Sequence, residues 1–298
     1  TLLRSGAPRL MCMQVFPECI PCLASRVLYE AKLSSTDFTT QLKAEEAAVE
    51  TMCRMGFEGP IALLSTEVHR AVYRVLGDDD PYRRVKRLAN ETAVKLLPTV
   101  QSLIQTSSDP FRSAVIAAII GNTFDFGVLG FEVATDDFEK EVATIYQHGL
   151  DIDDTDAMKH LLNDVVYVAD NVGEIVYDRL LIEQMRKLGA RVTLVVRGAP
   201  ILTDATMEDV WEFGLDKVAD GVMTTGSNAI GIKLDEIPAE LRDILPRASL
   251  IIAKGMANYE MLSEYSFKPV AYLMRVKCAP VAESVGARVG DFIARLVR

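Results

Sequence analysis

The stretch NDVVYVADNVGEIVYDRLLIEQM, from Asn163 to Met185, decides the fold. Val165, Val166, Tyr167, Val168 and Ala169 form a near-continuous apolar run, the pattern of a parallel strand covered on both faces. From Ile175 onward the period changes. Ile175, Val176, Arg179, Leu180, Ile182 and Glu183 suit a helix with one apolar side. Between strand and helix stand Asp170 and Asn171, and open α/β sheets bind ligands outside the carboxyl ends of their strands. A carboxylate there calls for a partner such as a divalent cation. Either residue could instead cap the helix, since short polar side chains accept hydrogen bonds from its first amides.

Downstream the same grammar recurs. Apolar, β-branched runs at Val192–Val196, Gly221–Met223, Leu250–Ala253 and Val270–Met274 alternate with helical or loop segments, which predicts a parallel sheet with crossover helices. Upstream the chain reads as helical. Thr40–Met55 is rich in helix formers, and Ile61–Leu76 repeats apolar residues at helical spacing. Pro81 can start a long helix running through Val85, Leu88, Val94 and Leu97, and Ala114–Ile120 and Asp137–His148 suggest two more. The acidic run Asp151–Asp156 reads as a solvated linker between halves. It lacks the glycine and distal glutamate of a calcium loop.

Residues following the predicted strands converge if right-handed crossovers keep them on one edge. They are Asp170-Asn171, Arg197-Gly198 with Asp204 soon after, Thr224–Asn228, Lys254-Gly255 with Asn258, and Lys277-Cys278. Such a set suits a metal and an anion. Thr224, Thr225 and Ser227 could line a turn that caps a following helix, or could hold phosphate oxygens at its positive end. Lys254 could be a surface lysine, yet it directly follows an apolar run and precedes a glycine. Hard oxygen ligands favour Mg²⁺ or Mn²⁺ over zinc, and His69, His148 and His160 show no metal-binding spacing.

Bulk properties narrow the function. With 298 residues, 49% hydrophobic and a formal charge of −10, the chain can build a substantial core and lacks the basic balance expected of a nucleic-acid binder. It contains no apolar run of membrane-spanning length, and TLLRSGAPRLMCM makes a poor secretory signal, so a cytoplasmic protein without membrane or nucleic-acid partners is expected. The five cysteines do not form a secreted disulfide framework. The spacing of Cys19-Ile-Pro-Cys22 suits metal or redox chemistry. With Cys278, a fold-back of the N-terminal segment could assemble three soft ligands for zinc or iron, or a disulfide; buried free thiols are the alternative.

Three motifs, in this order and spacing, carry a family resemblance: Gly121-Asn-Thr-Phe-Asp125-Phe-Gly, Asp170-Asn171-Val-Gly-Glu174-Ile-Val-Tyr-Asp178, and Lys254-Gly-Met-Ala-Asn258-Tyr-Glu. The chain from Cys19 to its C-terminus resembles the DUF89 family of ARMT1-like damage-control phosphatases, and Cys19, Cys22 and Lys277-Cys278 resemble its cysteine-containing microbial branch. The resemblance implies an N-terminal extension over 1–18, a helical domain over 19–157 and a Rossmann-like α/β domain over 158–298. It implies a divalent metal on Asp170, Asn171 and Asp204, with Asp209 and Asp220 as nearby rivals of Asp204. Mn²⁺ and Mg²⁺ are the expected ions, with Co²⁺ and Ni²⁺ as further candidates.

Carried over likewise, Asn122 and Asp125 would face the pocket from the helical half, Lys254 would pair with the phosphate, and Asn258 would shape that pocket. The implied activity is a metal-dependent phosphatase of small phosphorylated metabolites, sugar phosphates or damaged metabolite phosphates. Water would attack, with Asp125 or Glu174 taking its proton; an aspartyl-phosphate on Asp170 is the other route. An S-adenosylmethionine-dependent methyltransferase is a rival, although Asp170-Asn-Val-Gly-Glu174 supplies only one glycine. A non-catalytic metabolite-binding protein is another.

Overall fold

The computed structural model describes residues 13–121 and 135–298. The chain begins with helices α1 (Cys19–Ser34), α2 (Phe38–Met55), α3 (Ile61–Leu76), α4 (Arg83–Thr106), α5 (Pro110–Gly121) and α6 (Thr135–His148). Pro81 lies in the turn before α4 rather than at its first residue. Then follow β1 (Ile152–Asp153), α7 (Thr155–Lys159), β2 (Asp164–Val168), α8 (Glu174–Lys187), β3 (Arg191–Val196), α9 (Met207–Glu212), β4 (Gly221–Thr224) and α10 (Ala239–Ile244). The chain closes with β5 (Leu250–Lys254), α11 (Gly255–Leu262), β6 (Val270–Arg275), α12 (Ala279–Val285) and β7 (Phe292–Val297).

The strands form one Rossmann-like sheet in the order β1-β7-β6-β5-β2-β3-β4. Every neighbouring pair is parallel except β6 and β7. Side chains alternate across a strand, so a central strand needs apolar residues in both phases. In β2 and just beyond, Val165, Tyr167 and Ala169 join one core with residues of α4, α5 and α8. Val166 and Val168 face the other core, with Leu241, Tyr259 and Val281 from α10, α11 and α12. Burying each large aliphatic side chain here stabilises the fold by roughly 1.5–3 kcal/mol. Helices α1, α2 and α3 build a third core that rests on Ile201, Ile230 and Met261. Packing therefore runs across position 157, because α4 and α5 share a core with the sheet.

The acidic run is not the expected solvated linker. Asp153 belongs to β1, which pairs with β7. Asp151 and Asp154 accept hydrogen bonds from the backbone of Phe292 and Leu296 at 2.9 and 2.8 Å. Among the described residues no helix is long and apolar enough to cross a membrane.

Candidate functional site

Beyond β2 the chain stays tied to its neighbours before it enters α8. Ala169 N–H donates to Val195 O, the Asp170 carbonyl accepts from Ala205 N, and Val172 N donates to Thr203 O. An antiparallel bridge joins Asn171 to Asp204. These bonds lay the segment 203–206 along the turn, so Asp204 stands beside Asp170 and Asn171 at the carboxyl edge of the sheet. The two rivals of Asp204 are used elsewhere. Asp209 closes a capping box with Thr206 at the start of α9. Asp220 precedes β4, at the opposite edge of the sheet, and binds Arg186 and the Val192 N–H.

Asp170 and Asn171 do not cap α8 with their side chains. Gly173 holds the N-cap position with φ +74°, and its N–H donates to Asn90 Oδ1 of α4 at 2.7 Å. Asn171 instead donates from Nδ2 to Asp170 Oδ2 at 2.8 Å and accepts from Thr203 Oγ1 at 2.7 Å. Glu174 reaches back to the Asn171 N–H at 3.2 Å.

The environment is buried and strongly charged. Asp170 is 5% exposed, Asp204 3% and Glu174 fully buried. Burial, then the Asp204 and Glu174 carboxylates, push the Asp170 carboxyl well above the usual range, opposed by Arg197 and Lys277. Arg197, at the end of β3, is the internal counter-ion. Its Nε donates to Asp204 Oδ2 at 2.5 Å, and Nη2 lies 3.9 Å from Asp170 Oδ1. The same guanidinium donates to Asn258 Oδ1 and Gly231 O. Sequence reasoning placed Arg197 at a strand end but gave it no task. Asn90 it missed altogether, for a polar residue in a long helix carries no local signal of a distant partner.

Lys254 and Asn258 look inward. The Lys254 ammonium donates to Ala118 O at 2.9 Å, Asp178 Oδ1 at 2.7 Å and Glu174 Oε1 at 3.3 Å. An ammonium has three N–H groups, so this arrangement leaves none for a phosphate. Burial lowers its pKa, but the Asp178 and Glu174 carboxylates outweigh that and hold it above its ordinary value. Asn258 braces two strand ends, donating to Ala169 O and Lys254 O.

The loop after β4 departs from expectation. No helix begins there; the next is α10, at Ala239, so the expected positive helix end is missing. Thr225 Oγ1 accepts from Gly198 N and donates to Ser227 O. Thr224 Oγ1 accepts from Gly226 N, and Ser227 Oγ from Ala229 N. These hydroxyls hold the loop closed against Gly198, where a Cβ would meet the backbone of Gly226 and Ser227 at 2.5 Å.

Cys19, Cys22 and Cys278 are free thiols, close enough that charge on one is felt by the others. Burial pushes the Cys278 thiol up to about 11. Among the described residues no group of three or more His, Cys, Asp or Glu could hold a metal ion. The Asp170, Asn171 and Asp204 set brings two carboxylates and an amide. Asn122 and Asp125 lie outside the described residues.

Comparison with known proteins gives a consistent result. The family model of the damage-control phosphatase ARMT1-like domain matches residues 15–293. A damage-control phosphatase of Archaeoglobus fulgidus is 45% identical over 287 residues, covering 96% of this chain and all of that one. A damage-control phosphatase of Pyrococcus horikoshii is 32% identical, covering 94% of this chain and 97% of its own length. The crystal structure of a DUF89 family protein from Pyrococcus horikoshii superposes with a TM-score of 0.88 at 29% identity, covering 95% of this chain and 99% of that one.

Proposed function

The chain belongs to the damage-control phosphatase ARMT1-like family, and on that premise we propose that it is a metal-dependent phosphatase of small phosphorylated metabolites, with sugar phosphates or damaged metabolite phosphates as substrates. The observation that carries this reading is the backbone bridge setting Asp204 beside Asp170 and Asn171. Two buried like-charged carboxylates and an amide oxygen, with a nearby glycine whose missing Cβ leaves room at Asp170, suit a hard divalent ion such as Mn²⁺ or Mg²⁺. Asp170, Asn171 and Asp204 would hold it. Bound there, the ion would supply Lewis acidity to a phosphoryl oxygen and to the attacking water.

The chain's own groups do the rest. Arg197 fixes the Asp204 carboxylate and offsets part of the negative charge. Lys254 and the Asn171 N–H anchor Glu174, one of the two carboxylates proposed to take the water's proton; Asp125 is the other. Water attack is favoured over an aspartyl-phosphate, because an Asp170 committed to a metal is less free to act as nucleophile. The methyltransferase reading is disfavoured by the turn after β2, where the Gly173 N–H is already taken by Asn90.

Phosphate release from a metabolite panel with Mg²⁺, Mn²⁺, Co²⁺ or Ni²⁺ tests the proposal. Asp170→Ala and Asp204→Ala should each lower kcat/KM by at least about a hundredfold, the scale of losing a group that stabilises developing charge. Their Mn²⁺ binding in titration calorimetry should be lost in parallel. Metal-independent turnover, or full activity in both variants, would sink the site. Acid-stable phosphate on Asp170 after quenching would select the covalent route.

A further inference from the structure

Asp204 is delivered to the site by a tight turn. Its N–H donates to Ile201 O at 3.0 Å, which closes a four-residue turn over 201–204. Leu202 stands second in that turn with φ +46°, the one non-glycine residue of positive φ among the described residues. Turns with positive φ at that place ordinarily take glycine, asparagine or aspartate. A leucine there is strained and persists only where its surroundings hold it. The two residues that complete the turn both meet the site. Asp204 pairs with Asn171 through the backbone, and Thr203 Oγ1 donates to Asn171 Oδ1 at 2.7 Å.

The hold on Leu202 comes from α3. The Leu202 N–H donates to the Tyr73 hydroxyl at 3.0 Å, and the leucine side chain packs on the core that α1, α2 and α3 build. Tyr73 is buried in that core, with its ring tilted against His69, whose Nδ1 meets the buried Glu30 at 2.9 Å. Helix α3 is in turn fixed to the loop after β4. Thr66 Oγ1 accepts from Ile230 N at 3.0 Å, and Arg70 donates to Asn228 Oδ1 at 2.8 Å and to both Glu236 carboxylate oxygens. Downstream of Asp204, backbone bonds from Ala205 to Asp170 and from Arg197 to Ala205 fix the segment. Upstream, the backbone is gripped by a side chain of the helical layer.

We propose that Tyr73 is a positioning residue for Asp204: its hydroxyl keeps Leu202 in the left-handed conformation that sets this carboxylate beside Asp170 and Asn171. The assignment rests on the metal-site reading above and adds to it a group of the helical half that touches neither metal nor substrate. The hydroxyl accepts one backbone hydrogen bond; without that bond the strained turn relaxes towards negative φ.

The test reads the full chain in two ways: amide hydrogen exchange at Asp204 and Ala205 without metal, and Mn²⁺ titration calorimetry. Tyr73→Phe removes only the hydroxyl. It should speed exchange at both amides and weaken Mn²⁺ binding about two- to tenfold, the range that one hydrogen bond supplies. Glycine adopts positive φ without strain, so adding Leu202→Gly should recover the affinity while Tm falls further, because the packed leucine is gone. Lost stability alone would move affinity and Tm the same way. Wild-type exchange at both amides in Tyr73→Phe, Mn²⁺ affinity equal to the wild type, or a double variant that binds no better than the single one overturns the assignment. If the wild type binds no Mn²⁺, the metal-site reading fails, and exchange alone decides the lock: faster exchange in Tyr73→Phe upholds it.

Discussion

Gly255 shows how narrow the tolerances are at the Asp170 carboxylate. Its φ of +69° lies in the left-handed region that L side chains disfavour, and its absent Cβ is what lets the strand end pass Asp170. Gly255→Ala should therefore displace Asp170 and abolish Mn²⁺ binding by calorimetry. Gly290→Ala is the control: its φ is +103° but open space surrounds it, so only backbone strain of roughly 1–2 kcal/mol is expected, with metal binding intact. Equal metal binding in the two variants would refute this account. Asp170 and Asn171 were legible in the sequence because an acid and an amide directly follow an apolar strand. Asp204 was not separable there from Asp209 and Asp220, since backbone pairing with Asn171 decides among them. Lys254 looked like a phosphate ligand from its place after β5, yet its side chain turns into the interior, where two buried carboxylates attract it.

Among the secondary elements, α5 and α8 pack very closely beside Glu174. The last residue of α5, Gly121, lies so near α8 that a Cβ would fall 2.4 Å from Glu174 Cβ. Gly121→Ala should force the two helices apart and cost about 1–3 kcal/mol in urea unfolding, as overpacking does. An unchanged midpoint would mean that the helices do not meet as described. The five strands of the second half were legible because β-branched apolar runs in both phases mark a covered parallel strand. Two further strands, β1 and β7, were not. β1 has two residues and reads as an acidic loop, and β7 runs antiparallel to β6 although α12 lies between them, against the parallel pattern of the other strands. The loop over Thr224–Asn228 resembled a helix start, but its hydroxyls close onto its own backbone.

Over the whole molecule, ion pairs join the helical layer to the edge of the sheet. Arg112 of α5 meets Asp153 of β1 at 2.5 Å, and Lys159 of α7 meets Asp109 at 2.6 Å. Burial alone would raise both carboxyls. Hydrogen bonds from Thr155 and Arg112 bring Asp153 below its ordinary value, and those from Lys159 and the Arg112 backbone do the same for Asp109. Depressed carboxyls contribute stability above the unfolded value of about 4, and lose it as pH falls through their lower folded values. The double variant Arg112→Gln, Lys159→Gln should thus melt below the wild type at pH 7, with the gap closing below about pH 4. A gap that persists undiminished at the acid end would rule these pairs out as its source. The pairs are partly exposed, so the gap should be modest and should shrink in salt. Hydrophobic periodicity, a local property of neighbouring residues, let the sequence by itself determine the helical first half, the parallel sheet and the strand end bearing Asp170 and Asn171. Only the tertiary structure decided which aspartate joins them, which cations are buried and which reach solvent, and how the sheet closes. Those outcomes depend on desolvation and on backbone pairing between segments far apart in the chain, and no local pattern encodes them.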